Sequence, residues 1–113
     1  MNVWMILKII AALGTAATGL LAFVKPAATY GFIGLSPNGV RGVSEIRAIF
    51  GGLFIALGLA PLFLGAATYQ MLGIGYLAIA MARLISILFD RSYAQSNIIS
   101  LVIEIVMGVI LVL

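Results

Sequence analysis

Ser44-Glu45-Ile46-Arg47-Ala48-Ile49-Phe50-Gly51-Gly52 sets two opposite charges and a pair of glycines at the head of a long apolar run. From Leu53 to Gly65 no charged residue follows. A helix over 44–65 would be ~33 Å long, enough to cross a ~30 Å hydrocarbon core. Ser44 reads as the N-cap, its hydroxyl accepting a backbone N–H, and Glu45 falls in the first turn, where the helix dipole favours a carboxylate. Gly51 and Gly52 mark where a neighbouring backbone can approach closely. The stretch therefore predicts a membrane-spanning helix that starts charged and packs tightly.

The rest of the composition agrees. Of 113 residues, 65% are hydrophobic and 8% charged, too little polarity to cover a globule in water. Cysteine and histidine are both absent. That removes disulfides, thiol chemistry, zinc sites of the usual kind and imidazole ligation of cofactors, together with the commonest general base. The expectation is a non-enzymatic protein with no metal and no cofactor. The net charge of +3 is scattered, with no basic run of the kind that binds nucleic acid.

Working outward, three more apolar runs appear, and the chain reads as one transmembrane domain over 1–113 with spans at about 3–24, 44–65, 67–89 and 94–113. The fold class expected is an all-α integral membrane bundle of four helices. Long unbroken apolar runs exclude a β-barrel. Lys8 sits inside the first run rather than before it, which favours a retained span over a cleaved signal peptide. Lys25-Pro26 ends that span, and a short interfacial helix over 27–34 is expected before the Ser36-Pro37-Asn38-Gly39 turn. Pro61 should kink or end the second span about one turn early. Asp90-Arg91-Ser92 is a polar turn.

One face of the membrane then carries Lys25, Arg41, Arg47 and Arg91, and the other carries Lys8 and the amino terminus. The positive-inside rule makes the first face cytoplasmic and puts both termini outside.

Helices in lipid associate through close packing and interhelical hydrogen bonds. Ala48, Gly52 and Ala56 in the second span, and Ala78 and Ala82 in the third, recur every four residues and are expected to be packing faces. The fourth span carries Asn97, Ser100, Glu104 and Gly108 at spacings of three, four and four, one polar stripe on an apolar helix. Facing lipid it would be costly, so it should face the bundle. Helical rise puts Arg83 ~9 Å and Glu104 ~12–16 Å from the ends of their helices on the face that Glu45 and Arg47 occupy. A guanidinium has five donors and can hold two carboxylates. The expectation is that Arg83 bridges Glu45 and Glu104, with Asn97 and Ser100 completing the hydrogen bonding. Arg47, about 200° around an ideal helix from Glu45, joins the cluster or meets headgroups.

These residues carry a resemblance. Ser44-Glu45-Ile46-Arg47-Ala48 followed by Gly51-Gly52, Ala82-Arg83-Leu84 and Glu104 resemble a family of small bacterial membrane proteins catalogued as a domain of unknown function. The resemblance runs from Pro26 to the C-terminus and implies a four-helix bundle in a bacterial inner membrane, with no substrate or reaction. The chain is also similar in length and span number to the small multidrug resistance transporters. Those carry their essential glutamate in the first helix, where this chain has only Lys8, so that likeness is architectural.

The function expected from the residues is a lipid- or partner-binding module, or an accessory subunit of a membrane complex, built around the Glu/Arg cluster. Its partners would be membrane lipids, other membrane subunits or a second copy of the chain. The alternative is a proton-coupled small-molecule carrier using Glu104.

Overall fold

The computed structural model describes residues 2–113 and contains four helices long and apolar enough to cross a membrane. They are α1 (Val3–Val24), α2 (Val40–Leu64), α3 (Ala66–Asp90) and α4 (Gln95–Val112). The chain is a multi-pass membrane protein by this architecture. Asn2 caps α1, its side-chain oxygen accepting from the Met5 N–H at 2.8 Å. The expected interfacial helix is a 3-10 turn, Pro26–Thr29, followed by a single helical turn, Tyr30–Ile33. Gly34, at φ +78°, ends it in the left-handed conformation that glycine adopts without a steric penalty.

The second helix departs from expectation in three ways. It starts at Val40, directly after Gly39 at φ +87°, so Ser44 lies inside the helix and caps nothing. No helix breaker separates Val40 from Ser44 apart from a tolerated Gly42. It runs through Pro61 to Leu64, with Pro61 buried. And its stretch Ile46–Leu53 is a π-helix, in which backbone bonds close from i to i+5.

That π segment rotates the packing face. The buried residues of α2 are Ile46, Gly51, Gly58 and Pro61. The step from 46 to 51 is one π turn, and the step from 51 to 58 is two α turns. The four-residue stripe of Ala48, Gly52 and Ala56, which assumed an ordinary helix throughout, is exposed. In α3, Ala78 and Ala82 are likewise exposed, while Gly73 and Ala80 are buried. Gly108 of α4 is buried as expected, and a Cβ there would lie 2.6 Å from Leu77 Cδ2.

Backbone approach at glycine holds α1 to α2. A Cβ on Gly19 would sit 2.7 Å from the Gly51 carbonyl oxygen, and one on Gly58 would sit 2.6 Å from the Ala12 carbonyl oxygen. The helices therefore form two tight pairs, α1 with α2 and α3 with α4. The pairs join through a small core of Ala11, Ala12, Tyr69, Leu72 and Leu111, all toward the membrane face that carries the Gly65 turn. Along α2, α3 packs against Phe54–Leu64 and scarcely against Ile46–Leu53. Contact between α2 and α3 thus fades away from Gly65.

Candidate functional site

Glu104 sits midway along α4, and Gly108 one turn on lets α3 come close enough for a side chain from that helix to reach it. That side chain is Arg83. Its Nε donates to Glu104 Oε1 at 2.8 Å and its Nη2 to Glu104 Oε2 at 2.7 Å, a two-pronged pair. Its Nη1 donates to Asn97 Oδ1 at 2.8 Å. Asn97 is oriented in turn by Ser92, its Nδ2 donating to the Ser92 carbonyl at 3.1 Å and hydroxyl at 3.0 Å. Such a fork is the strongest arrangement a guanidinium and a carboxylate make. An unpaired charge at this depth would cost several kcal/mol, about 3 by insertion scales.

The pair is not sealed. The Arg83 side chain is 30% exposed against 11% for Glu104. Arg83, Ser86, Asn97, Ala82 and Ile79 line an open groove between α3 and the start of α4. Ser86 donates its hydroxyl hydrogen to Asp90 Oδ2 at 2.7 Å, and Asn97 spends its donors on Ser92. Of the five guanidinium N–H groups, three are committed, leaving two for whatever enters the groove.

Glu45 and Arg47 lie outside this cluster. Glu45 pairs with Arg41, one turn earlier on α2, and both are exposed, at 55% and 78% for the side chains. The early start of α2 supplies that local partner, while the three hydrogen bonds of Arg83 go to Glu104 and Asn97. Arg47 is also exposed. Ser100 is half-buried on the α4 face between Asn97 and Glu104, but among the described residues no hydrogen bond joins it to the network. Arg83 thus joins Glu104 and Asn97, and the expected bridge to Glu45 does not form.

Sequence reasoning missed a second polar contact. Thr15 of α1 and Tyr76 of α3 are hydrogen-bonded through their hydroxyls. Thr15 Oγ1 also donates to the Ala11 carbonyl at 2.8 Å, so its single hydrogen is spent and Tyr76 is the donor between the two. The signal was present: by helical rise Thr15 and Tyr76 lie at similar depths, ~18 and ~15 Å from the same membrane face. Beside them is a cleft of about 170 Å³, lined by Phe54 and Leu57 of α2 and by Met71, Gly75, Tyr76 and Ile79 of α3, and almost wholly apolar. Ile79 lines both this cleft and the Arg83 groove, so the two are neighbours on α3. No group of His, Cys, Asp and Glu suited to a metal ion occurs among the described residues.

The fold and site define a small multi-pass helical membrane protein with a buried Arg–Glu pair at a helix seam. The chain belongs to the family described as a domain of unknown function, DUF4345, whose model matches residues 3–113. No curated protein and no solved structure matches it.

Proposed function

We propose that the protein is a non-enzymatic lipid-binding module of the membrane, of a size suited to an accessory subunit, with Arg83 as its recognition group. One observation carries this reading: Arg83 is held rigidly by three hydrogen bonds, yet keeps two free N–H groups on an open groove. A purely structural pair needs no such opening. Intramembrane charges that border a cavity are a recurrent sign of binding. A carrier that cycles a proton on Glu104 has less support, because both carboxylate oxygens are engaged by Arg83. The excess of Lys and Arg on the face of the Asp90 turn favours a cytoplasmic location for that face.

The test is native mass spectrometry of the protein extracted in mild detergent, wild type against the Arg83→Gln/Glu104→Gln double variant. The double variant removes both charges together and so avoids stranding one. Wild type should retain lipid-sized adducts that the double variant lacks. Equal adducts on the two folded proteins would refute the role of Arg83.

A further inference from the structure

Depth and charge narrow what the Arg83 groove can hold. Arg83 lies five residues past the middle of α3, ~8 Å along the helix, and Glu104 lies at the middle of α4. The guanidinium lies between Glu104 and Asn97, the latter ~10 Å from the middle of α4, so its donors sit below the boundary of a hydrocarbon core ~15 Å in half-thickness. Bilayer phosphates and carboxylates stay at that boundary. The formal charges of Arg83 and Glu104 also cancel. An anion drawn to this point would leave net negative charge in a medium of low dielectric, which is strongly unfavourable. A neutral hydrogen-bond acceptor would add none.

The adjoining cleft sets the shape of the remainder. It is apolar, it runs from Ile79 toward Tyr76, and the Tyr76 hydroxyl hydrogen is already given to Thr15. At about 170 Å³ it is close to a cavity that holds one benzene ring, so it takes a single ring or a short length of chain. Seven residues separate Arg83 from Tyr76, ~10 Å of helix, so head and tail lie end to end.

We infer that the Arg83 groove and the α2–α3 cleft form one site for a neutral, membrane-dissolved carbonyl compound, its oxygen accepting from Arg83 and its apolar part lying past Ile79 against Phe54, Leu57 and Gly75. The inference rests on the lipid-binding reading and adds the class of ligand. It also explains why the acceptor site is formed by an ion pair rather than by a free arginine: the carboxylate cancels the charge and leaves the donors.

Three probes with similar alkyl tails separate the classes: 2-undecanone, decanoic acid and decyl phosphate. Binding is measured on the purified full chain in mild detergent by native mass spectrometry and by the ligand-dependent rise in Tm. The ketone should bind at least tenfold more tightly than either anion. Gly75→Leu fills the cleft from a position where an added Cβ meets nothing within 4 Å, so the fold should tolerate it. It should weaken ketone binding at least tenfold, as should the Arg83→Gln/Glu104→Gln variant. Leu57→Trp, on the opposite wall, serves if Gly75→Leu does not fold. Tighter binding of an anion, with the same dependence on Arg83, would overturn the neutral-carbonyl inference and leave the lipid-binding reading standing. Ketone binding unchanged by a filled cleft would overturn the inference as well. Absence of any binding that depends on Arg83 would overturn both.

Discussion

Gly58→Ala should force α1 and α2 apart, and Gly52→Ala, six residues earlier on the same helix, should not. A Cβ on Gly58 would lie 2.6 Å from the Ala12 carbonyl oxygen and 2.9 Å from Ala16 Cα, both backbone atoms that cannot rotate away. Ordinary contact begins at 3.4 Å and the Ala16 backbone nitrogen is closer still, so the helices must separate by at least 3.4 − 2.6 = 0.8 Å at this point. A gap of that size forfeits a quarter to a half of the attraction between the facing atoms. Overpacking of this kind typically costs about 1–3 kcal/mol. On Gly52 the nearest atom to an added Cβ is the Arg47 carbonyl oxygen at 3.9 Å, so nothing moves. Both substitutions replace a helical glycine and gain backbone propensity, up to about 1 kcal/mol in water for an α-helix. The difference between them therefore isolates the clash. Reversible unfolding in mixed micelles with increasing SDS would measure it, and Gly58→Ala should be less stable than Gly52→Ala by about 1–3 kcal/mol. Equal stability, or a more stable Gly58→Ala, would refute the account of α1–α2 association through glycine contact.

Arg83→Met alone should destabilise the fold by about 3 kcal/mol, at the low end for a broken buried pair because Arg83 is partly exposed. Arg83→Met/Glu104→Met should recover most of that loss in the same assay, because no charge is stranded. Glu45→Gln should change stability by less than about 0.5 kcal/mol, since its pair with Arg41 is exposed and one turn away on the same helix. If Glu45→Gln were as damaging as Glu104→Gln, the separation of Glu45 from the cluster would be wrong. Thr15→Val should cost about 1–2 kcal/mol by leaving the Tyr76 hydroxyl without its acceptor, whereas Tyr76→Phe should cost under about 1 kcal/mol, because Thr15 keeps its bond to Ala11. The reverse order would show that Thr15 is the donor.

The Arg83–Glu104 pair was legible because the sequence offers few charges and antiparallel hairpins fix their depths. The stripe of Asn97, Ser100, Glu104 and Gly108 announces a face that must turn inward, and only Arg83 lies at a matching depth in the preceding helix. The assignment of Glu45 was not legible. It depended on how far α2 and α3 diverge, and on a helix start set by the conformation of Gly39 rather than by a cap at Ser44. The Thr15–Tyr76 contact escaped notice because hydroxyls in apolar spans are common and carry no charge to balance.

The sequence by itself determined that this chain lives in a membrane as four helices, and that Arg83 and Glu104 must meet. Span length, scarce charge and the cost of an unpaired ion in lipid leave little alternative. Only the tertiary structure decided which sides of α2 and α3 pack. The π segment Ile46–Leu53 changes the number of residues per turn, so a face drawn with ordinary helical spacing exposes Ala48, Gly52 and Ala56 and misses Gly58. It also decided that α2 and α3 meet toward the Gly65 end and scarcely along Ile46–Leu53, because the small residues that allow close approach join α1 to α2 and α3 to α4, while α2 and α3 have no such seam. The open groove beside Arg83 lies between α3 and the start of α4, a juxtaposition that no pattern within a single helix encodes.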